Sequence, residues 1–236
     1  MRGIPKFRRL TALVLALGLL GASTAVAPTD HYFAEHGGVS IELTMPRTDV
    51  LRVRVGHPDF PENASWAVTL EIRAHHILFT VIENAAQARI VTSALQVTVD
   101  RTTLALTVRD ADGRTVLADA PGTALAFSNG GFRLRKVMPA DEHYFGPGDK
   151  TGPLDRRGGA YVNWNTDAFG FGTATDPLYK AFPFLLGLDE ASHAFGLFVD
   201  NTWRGAVRLT QLPTFLGVGP RNLGNVGCAN PSIFVG

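Results

Sequence analysis

The segment 164–172, WNTDAFGFG, contains the residue types best suited to chemistry in this chain. Asp167 is its one carboxylate and stands among aromatic residues and glycines. Such a carboxylate serves as a general acid or base, as an acceptor for the hydroxyl groups of a ligand, or as the acceptor of a turn. Residue type and spacing alone leave these three roles open.

A second group of titratable residues precedes this segment, at positions 141–143 (DEH) and at Asp149. These are residue types of acid–base catalysis, but no catalytic motif surrounds them. We therefore expect hydrogen-bonded groups of loops and strand ends. Beside Asp155, the pair Arg156 and Arg157 has two interpretations, a clamp that holds the loop through bidentate ion pairs or a solvated turn.

The sequence predicts no catalytic residue, metal site or cofactor. His75 and His76 are adjacent in an alternating stretch, so their side chains point to opposite faces of a strand and do not share a metal ion. We expect one exposed and one half-buried histidine. Asp110 and Asp112 resemble the start of a calcium loop without its other ligands, so we interpret them as turn residues. Cys228 is the single cysteine, which excludes an internal disulfide.

The elements that position these residues are predicted to be strands. Apolar and polar residues alternate from residue 38 onward, in runs bounded by Gly, Pro, Asn and Asp. In one of these runs Arg52 and Arg54 take the polar positions, and the Asp-Gly pair at 112–113 predicts a hairpin. We expect an all-β, antiparallel β-sandwich over about residues 31–210, with long ordered loops and little helix. The runs occupy residues 39–43, 51–55, 66–72, 76–82, 88–93, 95–99, 103–109 and 130–137.

Residues 1–27 have the pattern of a secretory signal peptide, with a basic start, an apolar run and small residues before Ala27. The alternative is an uncleaved anchor, but the apolar run 10–20 is shorter than the roughly 20 residues of a span. We expect a periplasmic or secreted protein with no stable membrane span after cleavage. The chain carries a net charge of +1, of which residues 1–27 contribute +4, so the remainder carries −3. That charge does not favour nucleic acid as a partner.

Four motifs follow one another in the second half of the chain. They are FGPGD (145–149), NTD (165–167), PLYKAFPF (177–184) and FGLFVDN (195–201). Their order and spacing resemble the N-terminal domain of glycoside hydrolase family 31, which includes α-glucosidases and α-xylosidases. Asp149 departs from the pattern, because the family usually has glutamate there.

This resemblance implies a β-sandwich of the galactose-mutarotase type, with one loop at the mouth of a following (β/α)8 barrel. Asp167 takes the position of the family's aspartate that binds sugar hydroxyls, so we expect a substrate-binding residue. Trp164 and Phe169 are expected to offer apolar faces to the sugar, although packing of the loop is the alternative for at least two of Trp164, Phe169 and Phe171. Tyr179 is expected to support the loop from beneath.

The resemblance also implies that the catalytic residues lie elsewhere. In the family, both carboxylates of the retaining mechanism lie in the barrel, and such a barrel takes about 250 residues. We therefore expect the carbohydrate-binding N-terminal portion of an exported α-glycosidase, truncated before the barrel and inactive alone, with an α-linked oligosaccharide or glucoside as ligand. The alternatives are a stand-alone exported carbohydrate-binding β-sandwich and a mutarotase-type epimerase, for which no supporting pair of histidine and glutamate is found.

The segment 211–236 differs from the rest in composition. It has Arg221 as its sole charge, five glycines and Cys228, and neither strand nor helix periodicity is maintained. We expect an aberrant or unstructured tail, as out-of-frame translation would produce. A divergent natural C-terminus is the alternative.

Overall fold

The computed structural model describes residues 24–25, 28–122, 124–128, 131–210, 214–218 and 232–235. Within these ranges the chain forms eighteen strands and one short helix, α1 (Leu70–Ala74). The strands are β1 (Thr24–Ala25), β2 (Tyr32–His36), β3 (Val39–Arg47), β4 (Val50–Gly56), β5 (Thr80–Glu83), β6 (Gln87–Val91), β7 (Leu95–Asp100), β8 (Leu106–Asp110), β9 (Thr115–Ala118), β10 (Leu125–Ser128), β11 (Gly131–Lys136), β12 (Glu142–Phe145), β13 (Ala160–Asn163), β14 (Phe184–Asp189), β15 (Ala194–Asp200), β16 (Gly205–Arg208), β17 (Thr214–Val218) and β18 (Ser232–Val235).

The strands form three antiparallel sheets. Their orders are β1-β5-β6-β7-β8-β9, β12-β14-β15-β18-β4-β3-β2 and β10-β11-β17-β16-β13. The six- and seven-stranded sheets face each other, because Leu51 and Val235 of one line the same small internal space as Val108 and Leu117 of the other. Buried side chains of all three sheets belong to one hydrophobic core. The predicted all-β sandwich with little helix is confirmed.

The alternating pattern of the sequence translates directly into burial. In β7, Leu95, Val97 and Val99 are buried while the residues between them are partly exposed. Val97 lies opposite Ile90 of β6, so the same face of both strands points into the core. Each such aliphatic side chain contributes roughly 1.5–3 kcal/mol on full burial.

The strand predicted at 66–72 is wrong. The segment ends in helix α1, where Thr69 is the N-cap and its hydroxyl oxygen accepts a hydrogen bond from the amide of Ile72. Glu71 in the first turn and Arg73 in the last turn both favour the helix dipole. These capping signals outweigh the β-branched content of the segment. The run 76–82 is a strand only from Thr80 onward.

The alternation suggested that Arg52 and Arg54 lie on a solvent-exposed face. They do not, because residues 57–79 cover that side of β4. Arg52 is only 1% exposed and donates to Oδ1 of Asn63 over 2.7 Å. Arg54 donates to the carbonyl of Pro61 over 2.7 Å. Burial lowers the pKa of Arg52 to about 10, which still leaves the guanidinium charged at neutral pH.

Two segments of the tail 211–236 are strands, so the expectation of an unstructured tail is wrong for them. β17 pairs with β11 and β16, and β18 lies between β15 and β4 in the seven-stranded sheet. Ile233 and Val235 are buried while Phe234 lies under Arg52, so the period of two returns over these three residues. The rest of the tail lies outside the described residues, and out-of-frame translation stays a prediction.

The signal peptide predicted at 1–27 lies outside the described residues except for β1. The backbone of β1 pairs with β5, Thr24 opposite Glu83 and Ala25 opposite Ile82. Across the described ranges, no helix has the length and apolar character needed to cross a membrane.

Candidate functional site

The described residues form an open groove of about 660 Å³. It lies where the loop after β13, the start of β14 and the connection between β15 and β16 come together. Its walls are mainly apolar and aromatic, and include Phe182, Phe184 and Phe198. Its volume lies within the range of small-molecule sites, about 300–1,000 Å³.

All three tryptophans of the chain line this groove. Trp164 was predicted as a ligand-binding residue and is 44% exposed. Trp66, from the segment that covers β4, is 94% exposed. Trp203 follows β15 and is half-buried. The last two were missed because nothing in the sequence places them near Trp164.

Two glycines of the FGPGD motif allow the chain to pass closely beneath the groove. A Cβ at Gly146 would lie 2.4 Å from the carbonyl oxygen of Phe184, and one at Gly148 would lie 2.4 Å from that of Lys180. Both glycines also have positive φ, +108° and +98°. Only glycine fits these positions, so the motif is a packing device that joins residues 145–149 to residues 180–184.

A buried ion pair fixes the base of the loop that carries Asp167. Nζ of Lys150 donates to Oδ1 of Asp176 over 2.7 Å and to the carbonyl of Val162 over 2.6 Å. Oδ2 of Asp176 accepts from the amide of Val162 over 2.6 Å. The Lys150 side chain is only 1% exposed. One charged pair therefore ties the end of β13 to the start of the PLYKAFPF motif.

Arg156 clamps the same region, although not through the bidentate ion pairs considered from the sequence. Its buried guanidinium donates to the carbonyls of Gly146, Thr151 and Pro153 at 2.5–3.0 Å. The solvated-turn interpretation is wrong for this residue. The carboxylate of Asp155 instead accepts from the Tyr144 amide over 3.1 Å and from His143 over 2.7 Å.

Glu142 and His143 are hydrogen-bonded strand groups, as expected. Oε2 of Glu142 accepts from the hydroxyl of Tyr144 over 2.5 Å, and burial raises the pKa of this carboxyl. His143 pairs with Asp155 on the exposed side of β12. Neither residue lines the groove.

The loop carrying Asp167 is held from below by side chains and backbone. Oδ1 of Asn165 accepts from the amide of Ala181 over 2.7 Å, and the Tyr179 hydroxyl donates to the carbonyl of Ala168 over 3.1 Å. The ring of Phe171 contacts that of Tyr179 edge to face, with centroids 6.0 Å apart. The prediction that Tyr179 supports the loop is confirmed, and Phe171 packs within the loop.

The structure does not bring the three predicted ligand residues into one pocket. Trp164 lines the groove, but Asp167 and Phe169 do not. Phe169 is 98% exposed, and Asp167 is exposed with no hydrogen bond or ion pair to any residue that the structure describes. The ligand roles of Asp167, Trp164 and Phe169 stay predictions. The loop is held in place from below, and it exposes the unpartnered carboxylate of Asp167 and the unpacked ring of Phe169 to solvent.

Polar groups at the floor of the groove were missed by sequence reasoning. Oδ1 of Asn163 and Oδ2 of Asp200 are buried and have no partner among the described residues. Burial raises the pKa of Asp200, and a hydrogen bond from Ser65 opposes that shift. Asp200 is also the one carboxylate among the groove-lining residues. The described part of the lining therefore holds one carboxylate, whereas a typical glycosidase site has two opposed ones.

The fold is a β-sandwich, and the groove among its loops is a cleft lined by aromatic residues. Residues 40–207 match the model of the glycosyl hydrolase 31 N-terminal galactose mutarotase-like domain. The chain belongs to this family, and the resemblance drawn from its four motifs is confirmed.

The chain spans about a quarter or less of the length of the curated relatives that it matches. It is 27% identical over 188 residues to α-glucosidase 2 of Bacillus thermoamyloliquefaciens and 29% identical over 182 residues to the isomaltosyltransferase of Sporosarcina globispora. These matches cover 78% and 72% of this chain, but 24% and 15% of the relatives. The GH31 dextranase of Flavobacterium johnsoniae, solved with isomaltotriose, superposes with a TM-score of 0.75 at 26% identity. That match covers 92% of this chain and 26% of the dextranase.

Proposed function

We propose that this chain is the carbohydrate-binding N-terminal part of an exported α-glycosidase, and that its ligand is an α-linked gluco-oligosaccharide. The observation that carries the proposal is the convergence of all three tryptophans on one groove. Flat apolar rings in a concave site suit the C–H faces of sugars, and Asn163 and Asp200 add polar side chains to the lining of the groove.

The relatives support the choice of ligand class. The α-glucosidase acts on α-glucosides by its name, and the dextranase is solved with isomaltotriose and, separately, with glucose. Asp167 lies three residues after Trp164 on the same ordered loop. Its exposed, unpaired carboxylate is free to accept from two neighbouring sugar hydroxyls.

We propose further that bond cleavage takes place in a part of the enzyme that this chain does not contain. Among the described residues that line the groove, the single carboxylate of Asp200 has no second carboxylate opposite it to complete a nucleophile and acid/base pair. The purified chain is therefore expected to release no glucose from maltose above buffer. Turnover that persists after rigorous purification would contradict this part of the proposal.

Tryptophan fluorescence offers a direct test of binding, because every tryptophan lines the groove. The emission of the purified chain is expected to change in a saturable manner as isomaltotriose is added. Cellobiose, with its β-linkage, is the matched control and should have little effect. The proposal would be wrong if isomaltotriose gave no change, or if both sugars gave the same change.

A stand-alone carbohydrate-binding module is the second candidate, because all three tryptophans already line one groove within this chain. Binding of isomaltotriose at micromolar concentration by the isolated chain would support the stand-alone module. Weak binding, at millimolar sugar, is expected if another part of an enzyme completes the site.

Export to the periplasm or the medium is proposed on the sequence pattern of residues 1–27. Expression of the full coding sequence in a bacterial host tests it by fractionation and N-terminal sequencing. The expected product is an extracytoplasmic chain that begins near residue 28. A product that keeps its first residues in the cytoplasmic fraction would contradict export.

A further inference from the structure

Two histidines from distant parts of the chain meet beside a carboxylate, away from the residues that line the groove. His31 directly precedes β2, and His76 follows α1. Nε2 of His31 lies 3.3 Å from Nδ1 of His76 and 3.8 Å from Oδ2 of Asp30. The two rings stand edge to face, with centroids 4.7 Å apart.

The remaining nitrogen of each ring has a partner that only accepts hydrogen bonds. Nδ1 of His31 lies 3.0 Å from Oε1 of Glu42, whose other oxygen pairs with Arg54 over 2.6 Å. Nε2 of His76 lies 3.0 Å from the carbonyl oxygen of Arg73. Both of these ring nitrogens must therefore carry the proton. In the neutral rings, the two nitrogens that face each other are then both acceptors.

Two acceptor nitrogens that lie 3.3 Å apart, next to a carboxylate, form a group that a shared cation would stabilise. A zinc ion bound tetrahedrally at about 2.0–2.1 Å from each nitrogen separates the two nitrogens by about 3.3 Å. The observed distance matches this edge of a tetrahedron.

We propose that Asp30, His31 and His76 form a binding site for a divalent transition-metal ion of the zinc class, with solvent as the fourth ligand. Two imidazoles and one carboxylate suit zinc rather than calcium or magnesium, which prefer all-oxygen sites. Glu42 and the carbonyl of Arg73 orient the two rings, as the outer partners of metal-bound histidines do.

The bound ion would fasten the segment before β2 to the segment after α1. Asp30 is the most adaptable ligand, since its side chain is 51% exposed. His75 takes no part in the proposed site. The partner of His76 lies 45 residues upstream, a pairing that the sequence pattern does not reveal.

Zinc titration of the full chain, produced without a histidine tag and freed of metal by a chelator, tests the proposal. We expect one zinc ion per chain in competition with a chromophoric chelator. The Asp30→Asn variant should bind at least about 10-fold more weakly, and His31→Ala and His76→Ala more weakly still. His75→Ala is the matched control and should bind as the unaltered chain does.

Cobalt absorption of the unaltered chain gives a readout that does not depend on the folding of a variant. Bound Co²⁺ is expected to show the intense visible bands of tetrahedral coordination, and zinc should abolish them. The proposal is overturned if the unaltered chain binds no zinc, if His75→Ala loses as much affinity as His76→Ala, or if cobalt gives only the weak spectrum of an octahedral ion.

Discussion

The base and the tip of the loop between β13 and β14 differ in how their charged groups are used. At the base, Asp176 is satisfied by Lys150 and by the amide of Val162. At the tip, Asp167 makes no hydrogen bond or ion pair with any described residue, and Phe169 is almost fully exposed. One loop thus holds two aspartates of the same chemistry in opposite environments.

This difference separates residues that build the loop from residues that are left for a ligand. A loop with an exposed, unpacked tip would be mobile unless something held its ends. Here buried charges, close glycine contacts and the Tyr179 hydroxyl hold the base. We therefore expect the tip to be dispensable for folding. The base, in contrast, is expected to be required for folding and for every property that depends on the fold.

Breaking the buried ion pair should have the largest effect. Lys150→Met leaves the Asp176 carboxylate partly buried without its cation, so we expect a loss of about 3–5 kcal/mol in the free energy of unfolding. Urea denaturation measures it. Lys180→Met, at an exposed position nearby, is the control and should cost less than about 0.5 kcal/mol. Equal losses in both variants would show that the base is not held by this pair.

Filling the close backbone contact should cost less. Gly148→Ala places a methyl group against the carbonyl of Lys180, whereas Gly152→Ala meets nothing within 4 Å at a similar positive φ. The control variant should lose only the free energy that a left-handed backbone conformation costs alanine, about 1–2 kcal/mol. Gly148→Ala should cost about 1–3 kcal/mol more, because the packed chain must move. Two equal losses in urea denaturation would mean that the contact is unimportant.

The contribution of Asp200 to the stability of the fold should depend on pH with a sign opposite to that of a carboxylate in an ordinary ion pair. Its pKa is raised in the folded chain, chiefly by burial, so its contribution to stability is full below the unfolded pKa, about 3.9, and is lost as pH rises through the folded value. Asp200→Asn should therefore raise the Tm at pH 7 by about 2–4 °C. The gain should vanish near pH 3.5. Thermal melts at both pH values check this, and a gain independent of pH would contradict it.

Most of the fold follows from the sequence because strands with one buried face carry a period of two. The runs that became β6, β7, β8 and β11 are of this kind. The prediction fails where tertiary contacts decide. Arg52 takes a polar position in the strand pattern, but residues 57–79 fold over it. Helix α1 forms within an apparently alternating run because Thr69 caps it.

The site is only partly predictable for the same reason. Motif spacing indicates the loop of Asp167 and Trp164, since both lie within one continuous stretch. Trp66 and Trp203 enter the groove from residues far from that stretch, so no local pattern identifies them. The His31–His76 contact likewise joins two histidines that are 45 residues apart.

The matched pair Asp167→Ala and Asp176→Ala tests the division between tip and base most directly. Each variant removes one aspartate carboxylate from the same loop, and urea denaturation gives the free energy of unfolding of each. We predict a change within about 0.5 kcal/mol for Asp167→Ala and a loss of about 3–5 kcal/mol for Asp176→Ala. Comparable losses in the two variants would contradict the account, because Asp167 would then be a structural acceptor rather than a residue kept free for a sugar.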